Sequence, residues 1–323
     1  MDILYAVIIV IGLCVFETVA SIDNAIVNAD ILSTMKGWAR KWFLFWGLLI
    51  AVFVVRGLLP WVIIWASVPS LGPIGALTAT FSNDVMVTEA IAASAPYLLA
   101  GGGMFLALLF LHWLLAEDKN CIVPGERILQ KAEPWFTAVA ALFLLAIILL
   151  ALNTNPGIAA AAAIGFAVFF IMMGIRHFAD RKTRELEEAG DNPDAKLARH
   201  SDISKLVLLE VIDASFSVDG VVGAFAFTMS VPLILIGNGL GALVVRELTV
   251  RNIDNIKKFA YLKNGAMYSI LCLAVLMCVE AFGLEIPVWV APAATVLIVG
   301  IFLLISIHKI KKEKKAACVP ENN

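Results

Sequence analysis

Two acidic stretches stand in otherwise apolar surroundings. ETVASIDN runs from Glu17 to Asn24, and EVIDASFSVDG from Glu210 to Gly220. Glu17, Asp23, Glu210, Asp213 and Asp219 offer carboxylates, Asn24 an amide oxygen, and Ser21, Ser215 and Ser217 hydroxyls. No His or Cys accompanies them. A donor set of hard oxygens suits Mg²⁺, Ca²⁺ or Mn²⁺ better than Zn²⁺ or Cu⁺, and residue type alone does not choose among those three. Aligned without gaps, ETVASIDN matches DASFSVDG: Glu17 with Asp213, Ser21 with Ser217, Ile22 with Val218 and Asp23 with Asp219.

These acids lie where acids are expensive. Hydrophobic residues make up 61% of the 323-residue chain and charged residues 15%, with a mean hydropathy of +0.92. A soluble domain has roughly 45–50% apolar and about 25% charged residues, so the composition points to an all-α polytopic membrane protein. An ionised carboxylate at the centre of a membrane helix costs about 2.5–3.5 kcal/mol. Neither motif contains a Lys or Arg to offset that. Arg56, read as the one basic residue well inside a span, is a candidate ion-pair partner, and a buried pair with it is the competing account of the acids. A cation held between two helices explains several acids at once.

Apolar runs fall at 3–30, 42–66, 97–116, 134–152, 156–178, 203–228, 230–247, 262–283 and 288–308. Basic residues occupy the gaps after the first, third, fifth, seventh and ninth runs and are missing from the others. By the positive-inside rule, nine crossings follow, with the N-terminus outside and the basic C-terminus in the cytoplasm. The interval 66–96 is mildly apolar, and part of it is expected to form a re-entrant or interfacial helix. The charged segment 179–202 is expected to be a solvated linker with helical character.

The first motif lies in span 1 and the second in span 6, which would run in opposite directions. Spans 3 and 8 also start alike, YLLAGGGMF at Tyr97 and YLKNGAMYS at Tyr261. Spans 1–3 and 6–8 would then be two inverted three-helix repeats, an architecture that places transporter sites near the midplane where the units meet. The chain divides accordingly into a first repeat (1–116), two linking spans and a cytoplasmic linker (117–202), a second repeat (203–283), and a last span with a basic tail (284–323), all in one transmembrane domain.

Residues six apart on a regular helix lie about 240° apart. Glu17 and Asp23 therefore do not share a face, nor do Asp213 and Asp219, whereas Glu210 and Asp213 do. Gly220 and Gly223 suggest a helix break in span 6; span 1 has no Gly or Pro between Leu13 and Met35. Expelling a dication against the membrane potential costs about twice 2.3 kcal/mol per 100 mV, so export needs a counter-flow. Carboxylates that exchange protons for the metal would provide it.

Other features have simpler explanations. His112 is expected to pack between helices, Glu280 to face solvent at an outer helix end, Asp84 and Glu89 to lie on an exposed amphipathic helix, and AGGGM at Ala100 to Met104 to permit close helix packing. No nucleophile–His–acid set, phosphate loop or nucleic-acid signature is present, so neither an enzyme nor a nucleic-acid partner is expected.

The segments ETVASIDNAIVNA, EVIDASFSVDGVVGAFA and NIKKFAYLKNGAMYSI resemble the TerC family of integral membrane proteins, in particular its DUF475 branch. The resemblance implies a multi-pass protein of the bacterial inner membrane, in a superfamily of small-solute exporters linked to tellurium resistance and manganese efflux. Carried over, its acidic motifs fall on Glu17, Asp23 and Asn24, and on Glu210, Asp213 and Asp219. Family members carry Ser after the last Asp, where this chain has Gly220, so one ligand is missing here. The implied function is export of a divalent cation, Mn²⁺ first with Ca²⁺ or Mg²⁺ as alternatives, as substrate rather than tightly bound cofactor. The alternative is a membrane anchor or metal sensor in a stress-resistance complex. Partners are the bilayer, the metal and protons, with stress-complex proteins or a second copy of the chain in addition.

Overall fold

A computed structural model of the chain describes residues 3–317 except 34, 48, 51–53, 55, 68, 70–71, 80–84, 118, 120–125, 190–194, 257–258 and 260. Among the described residues every regular element is helical: α1 (Ile3–Ala20), α2 (Ile22–Ser33), α3 (Gly37–Trp42), a π-helical turn (Phe43–Gly47), α4 (Arg56–Ser67), α5 (Gly72–Ala79), α6 (Val85–Ala116), α7 (Glu126–Leu129), a 3₁₀ turn (Gln130–Trp135), α8 (Phe136–Leu152), α9 (Pro156–Ala189), α10 (Ala195–Ala224), α11 (Val231–Ile256), α12 (Leu262–Ala281) and α13 (Val290–Ala317). Six described helices have segments long and apolar enough to cross a membrane: Ile3–Ala20, Ala93–Ala116, Ala132–Leu152, Pro156–Ala179, Leu262–Ala281 and Val290–Lys312. The protein is a polytopic all-α membrane protein.

Burial sorts these spans. The apolar window of α6 is 67% buried and that of α8 only 17%. α6 is thus the centre of the bundle, and α8 turns Leu142, Leu149 and Leu150 outward, as a lipid-facing helix must. Leu13 and Phe16 of α1, Met104 to Trp113 of α6, Val221 and Ala224 of α10, and Leu273 and Met277 of α12 meet in one core.

Local chemistry fixes the helix ends. Asn155 caps α9, its Oδ1 accepting the Gly157 N–H at 2.9 Å, while Pro156 takes the first-turn position where no donor is needed. The Asn155 amide also donates to the Tyr97 hydroxyl at 3.3 Å, which ties the start of α9 to α6. At the far end of α6, the Lys119 ammonium donates to the carbonyls of Trp113 and Leu114 and lies 4.3 Å above the Trp113 ring, covering carbonyls that the helix leaves open.

Contacts along each interface give the relative helix directions. On α1, Gly12 meets Phe227, Phe16 meets Gly223 and Glu17 meets Gly220 of α10, so rising numbers on one helix face falling numbers on the other. α6 and α12 are likewise antiparallel, Gly102 lying on Met277 and Glu117 pairing with Lys263. α1 runs parallel to α11, with Leu13 on Gly237 and Glu17 on Gly241. The helices aligned by the sequence, α1 with α10 and α6 with α12, are therefore two antiparallel pairs. The aligned Gly101 and Gly265 each admit a further helix, α9 against Gly101 and α13 against Gly265.

Three expectations fare differently. The 66–96 interval holds α5 and the first turns of α6, which begins at Val85 and continues through Pro96. The charged 179–202 linker is largely the ends of two long helices, α9 and α10. The interruption between paired acids falls in the first motif, at Ser21 between α1 and α2. The second motif is unbroken: α10 runs through Asp213, Asp219, Gly220 and Gly223. Those glycines serve close approach, since a Cβ on Gly223 would stand 2.5 Å from the Phe16 ring.

Candidate functional site

Glu17 is fully buried and is seated by three neighbours. The Ser21 hydroxyl, one turn on, donates to its Oε1 at 2.7 Å. Its Cβ and Cγ lie against Gly241 of α11, where an added Cβ would stand 2.6 Å and 2.8 Å away, and its carboxylate lies against Gly220 of α10. A second polar side chain ties α11 to α10: buried Asn238 donates to the Gly220 carbonyl at 3.3 Å. A lone Asn in VPLILIGNGLG was the sequence signal for it.

Asp219 comes from α10 and is also buried. Its Oδ2 accepts a hydrogen bond from the Arg176 guanidinium at 2.5 Å, a salt bridge to α9. Its Oδ1 is buried with no hydrogen-bond partner among the described residues. Glu17 lies against the next residue of α10, Gly220, so the two acids stand at the same level of the α1–α10 contact.

Glu210 and Asp213 form a separate pair about two turns earlier on α10, coupled electrostatically across their shared face. Glu210 lies against Gly47 of the π-helical turn. Ser217 donates to the Asp213 carbonyl at 2.8 Å, so its hydroxyl proton is used within its own helix. The side chains of Asp23, Asn24, Arg56 and Ser215 lie outside the described residues, as do those of Asp84 and Glu89. Among the described residues no group of three His, Cys, Asp or Glu converges as a metal centre.

The ion pair weighed in sequence was with Arg56, whose side chain lies outside the described residues. The structure shows a pair between Asp219 and Arg176 of α9, which stands near the end of the apolar segment Pro156–Ala179.

Asp219 and Arg176 lie on the wall of a cavity of about 560 Å³. Its other walls include the C-terminal ends of α1 and α6 (Ala20, Ala116), the end of the α9 span (Ala179), the start of α12 (Lys263) and Ile212 in the middle of α10. It therefore opens at the end of the bundle that carries the basic gaps. His112, His177, Arg184 and Glu117 line it too. Glu117 bonds Lys263 at 2.8 Å and lies 3.6 Å from His112. Burial pushes the Glu117 carboxyl up, but the bond to His112 and the charge of Lys263 outweigh it and hold the group at about 2. A second cavity of similar size lies toward the other end, apolar and lined by Gly101, Gly165, Val218 and Phe225. Phe105 borders both cavities.

A family model described as "Protein of unknown function (DUF475)" matches residues 22–313, most of the chain and all of the second motif. The chain belongs to the DUF475 family. It is also 30% identical over 151 residues to "Uncharacterized membrane protein YceF" of Bacillus subtilis (strain 168), an alignment covering 46% of this chain and 58% of that protein. No solved structure shows significant similarity to it. Family and relative alike are described without an activity, so chemistry has to be argued from the site. The arrangement offers two buried carboxylates from antiparallel helices, one of them on the wall of an open cavity.

Proposed function

We propose that this DUF475 protein is a secondary transporter that exports a divalent cation, Mn²⁺ first and Ca²⁺ or Mg²⁺ as alternatives, in exchange for protons. The observation that carries the reading is Asp219: a buried intramembrane acid on the wall of a cavity that also carries His112, Glu117, Arg176, His177 and Lys263, with a second buried acid, Glu17, on the antiparallel helix packed against it. Intramembrane carboxylates of this kind mark ion pathways and proton relays. The antiparallel α1–α10 and α6–α12 pairs support inverted repeats, and the resemblance to the TerC family supports metal as cargo. In this reading the protein crosses the bacterial inner membrane nine times, and the cavity opens to the cytoplasm, where cargo for export is loaded.

Reconstitution tests it. Proteoliposomes are assayed for Mn²⁺, Ca²⁺, Mg²⁺ and Zn²⁺ flux side by side, with and without a proton gradient. The expected result is flux of Mn²⁺ above Zn²⁺ that slows when the gradient is collapsed. Flux indifferent to the gradient would refute proton exchange. Absence of flux for all four ions would refute transport of these metals.

A further inference from the structure

Four helices, α6, α9, α10 and α12, line both cavities, and on each of them the polar cavity ends where the apolar one begins. The change falls at Phe105 on α6, between Phe169 and Val168 on α9, between Asp219 and Val218 on α10, and between Ile270 and Met277 on α12. The cavities therefore follow one another along the bundle, separated by a single layer. That layer is apolar and closed. Phe105, Phe169 and, on α12, Leu273 and Ala274 are each at most 3% exposed. The Phe105 and Phe169 rings meet edge to face, with centroids 6.0 Å apart. One turn farther on α6, an added Cβ on Gly102 would stand 2.5 Å from Met277 and 3.2 Å from Val222, so α6, α10 and α12 converge just beyond the layer.

We propose that this layer is a hydrophobic gate, with Phe105 as its gating side chain, that seals the polar cavity and Asp219 from the far side of the membrane. The assignment rests on the transport reading above and deepens it. A carrier exposes its site to one side at a time, so a site reached through the polar cavity needs a seal behind it. An apolar constriction provides one by staying dry, which stops water and ions alike. The layer lies directly behind the acid: Asp219 lines the polar cavity, and the residue before it, Val218, lines the apolar one. Phe105 borders both cavities, so its ring is the part of the seal whose loss would join them.

A seal is distinguished from ordinary packing by what passes it. Wild type, Phe105→Leu, Phe105→Val and Phe105→Ala are compared, with Phe110→Ala as the packing control. Phe110 is buried on the same helix but packs on Trp113 and Tyr268 and lines neither cavity. Each protein carries Val222→Cys on the apolar side of the layer, with the five native cysteines replaced by Ala. Inside-out vesicles are treated with a membrane-impermeant maleimide, and proton leak is followed in proteoliposomes with a trapped pH dye. The probe should stay unreactive with Phe105, Phe105→Leu and Phe110→Ala. Phe105→Ala should raise labelling and leak at least tenfold, with Phe105→Val in between; should Phe105→Ala fail to fold, Phe105→Val decides. Labelling and leak no faster in Phe105→Ala than in wild type or Phe110→Ala, among variants with an intact melting transition, would overturn the proposal. A wild type that moves no Mn²⁺ while the series stays graded would defeat the transport reading alone, and Phe105 would still seal the cavity.

Discussion

Glu17 and Asp219 are buried at the same level of the α1–α10 contact, yet they are held in opposite ways. Glu17 is bonded to a hydroxyl from its own stretch of chain and wedged between glycines of α10 and α11. Asp219 is held by a charge from a third helix and borders open space. A neutral hydrogen bond in a tight seat fixes a carboxylate; an ion pair at a cavity wall leaves it exchangeable. The two motifs match in sequence but are packed differently, one carboxylate in a tight seat and the other in an ion pair at a cavity wall.

The largest effect should come from breaking the ion pair. Asp219→Ala leaves the Arg176 charge partly buried, and removal of one partner of a buried pair costs about 3–5 kcal/mol. Thermal unfolding in detergent should show that loss, and Arg176→Met combined with it should restore part of it. Glu17→Ala should cost less, about 1–3 kcal/mol, as it leaves the Ser21 hydroxyl without this acceptor and no buried charge unpaired by it. Equal losses for the two acids would erase the contrast between them.

The seat of Glu17 gives a graded pair. Gly241→Ala sets a Cβ 2.9 Å from the Cys14 carbonyl, a backbone atom that cannot swing aside. Gly220→Ala meets only the end of the Glu17 side chain. Overpacking costs about 1–3 kcal/mol, and Gly241→Ala should stand at the upper end with Gly220→Ala below it. Ser21→Ala should be smaller still, about 1 kcal/mol.

The mildest test concerns the mouth of the cavity. The Glu117 carboxyl is depressed from 4.5 to about 2, so its contribution to stability is fully present above pH 4.5 and is lost as pH falls from there toward 2. Acid unfolding of wild type should steepen in that window, and Glu117→Gln should remove the extra slope. An unchanged slope would show that Glu117 and Lys263 do not brace α6 against α12.

Much of this was legible in the sequence. Composition gave a helical membrane protein, and the antiparallel pairing of α1 with α10 and of α6 with α12 follows the directions that the basic gaps assign. The triple glycine at Gly101 to Gly103 packs helices, as its apolar setting suggested. What escaped was decided by tertiary contact. Arg176 stands at the polar end of an apolar run, where topology marking explains it without any partner. Gly220 and Gly223 carry the same local signal whether a helix bends there or another lies against it. The interruption at Ser21 involves neither Gly nor Pro, and its amide and carbonyl both stay in the helical ladder, bonded to Glu17 and Ala25. Which acids meet depended on the α1–α10 crossing, which no spacing within one motif encodes.

The central claim is that Glu17 and Asp219 form one cation site. Mn²⁺ flux in proteoliposomes should be compared for wild type, Glu17→Gln, Asp219→Asn and the double variant, each checked for an intact melting transition. A shared site predicts that each single change lowers flux at least a hundredfold and that the double variant is no worse. A folded single variant that keeps wild-type flux would contradict it.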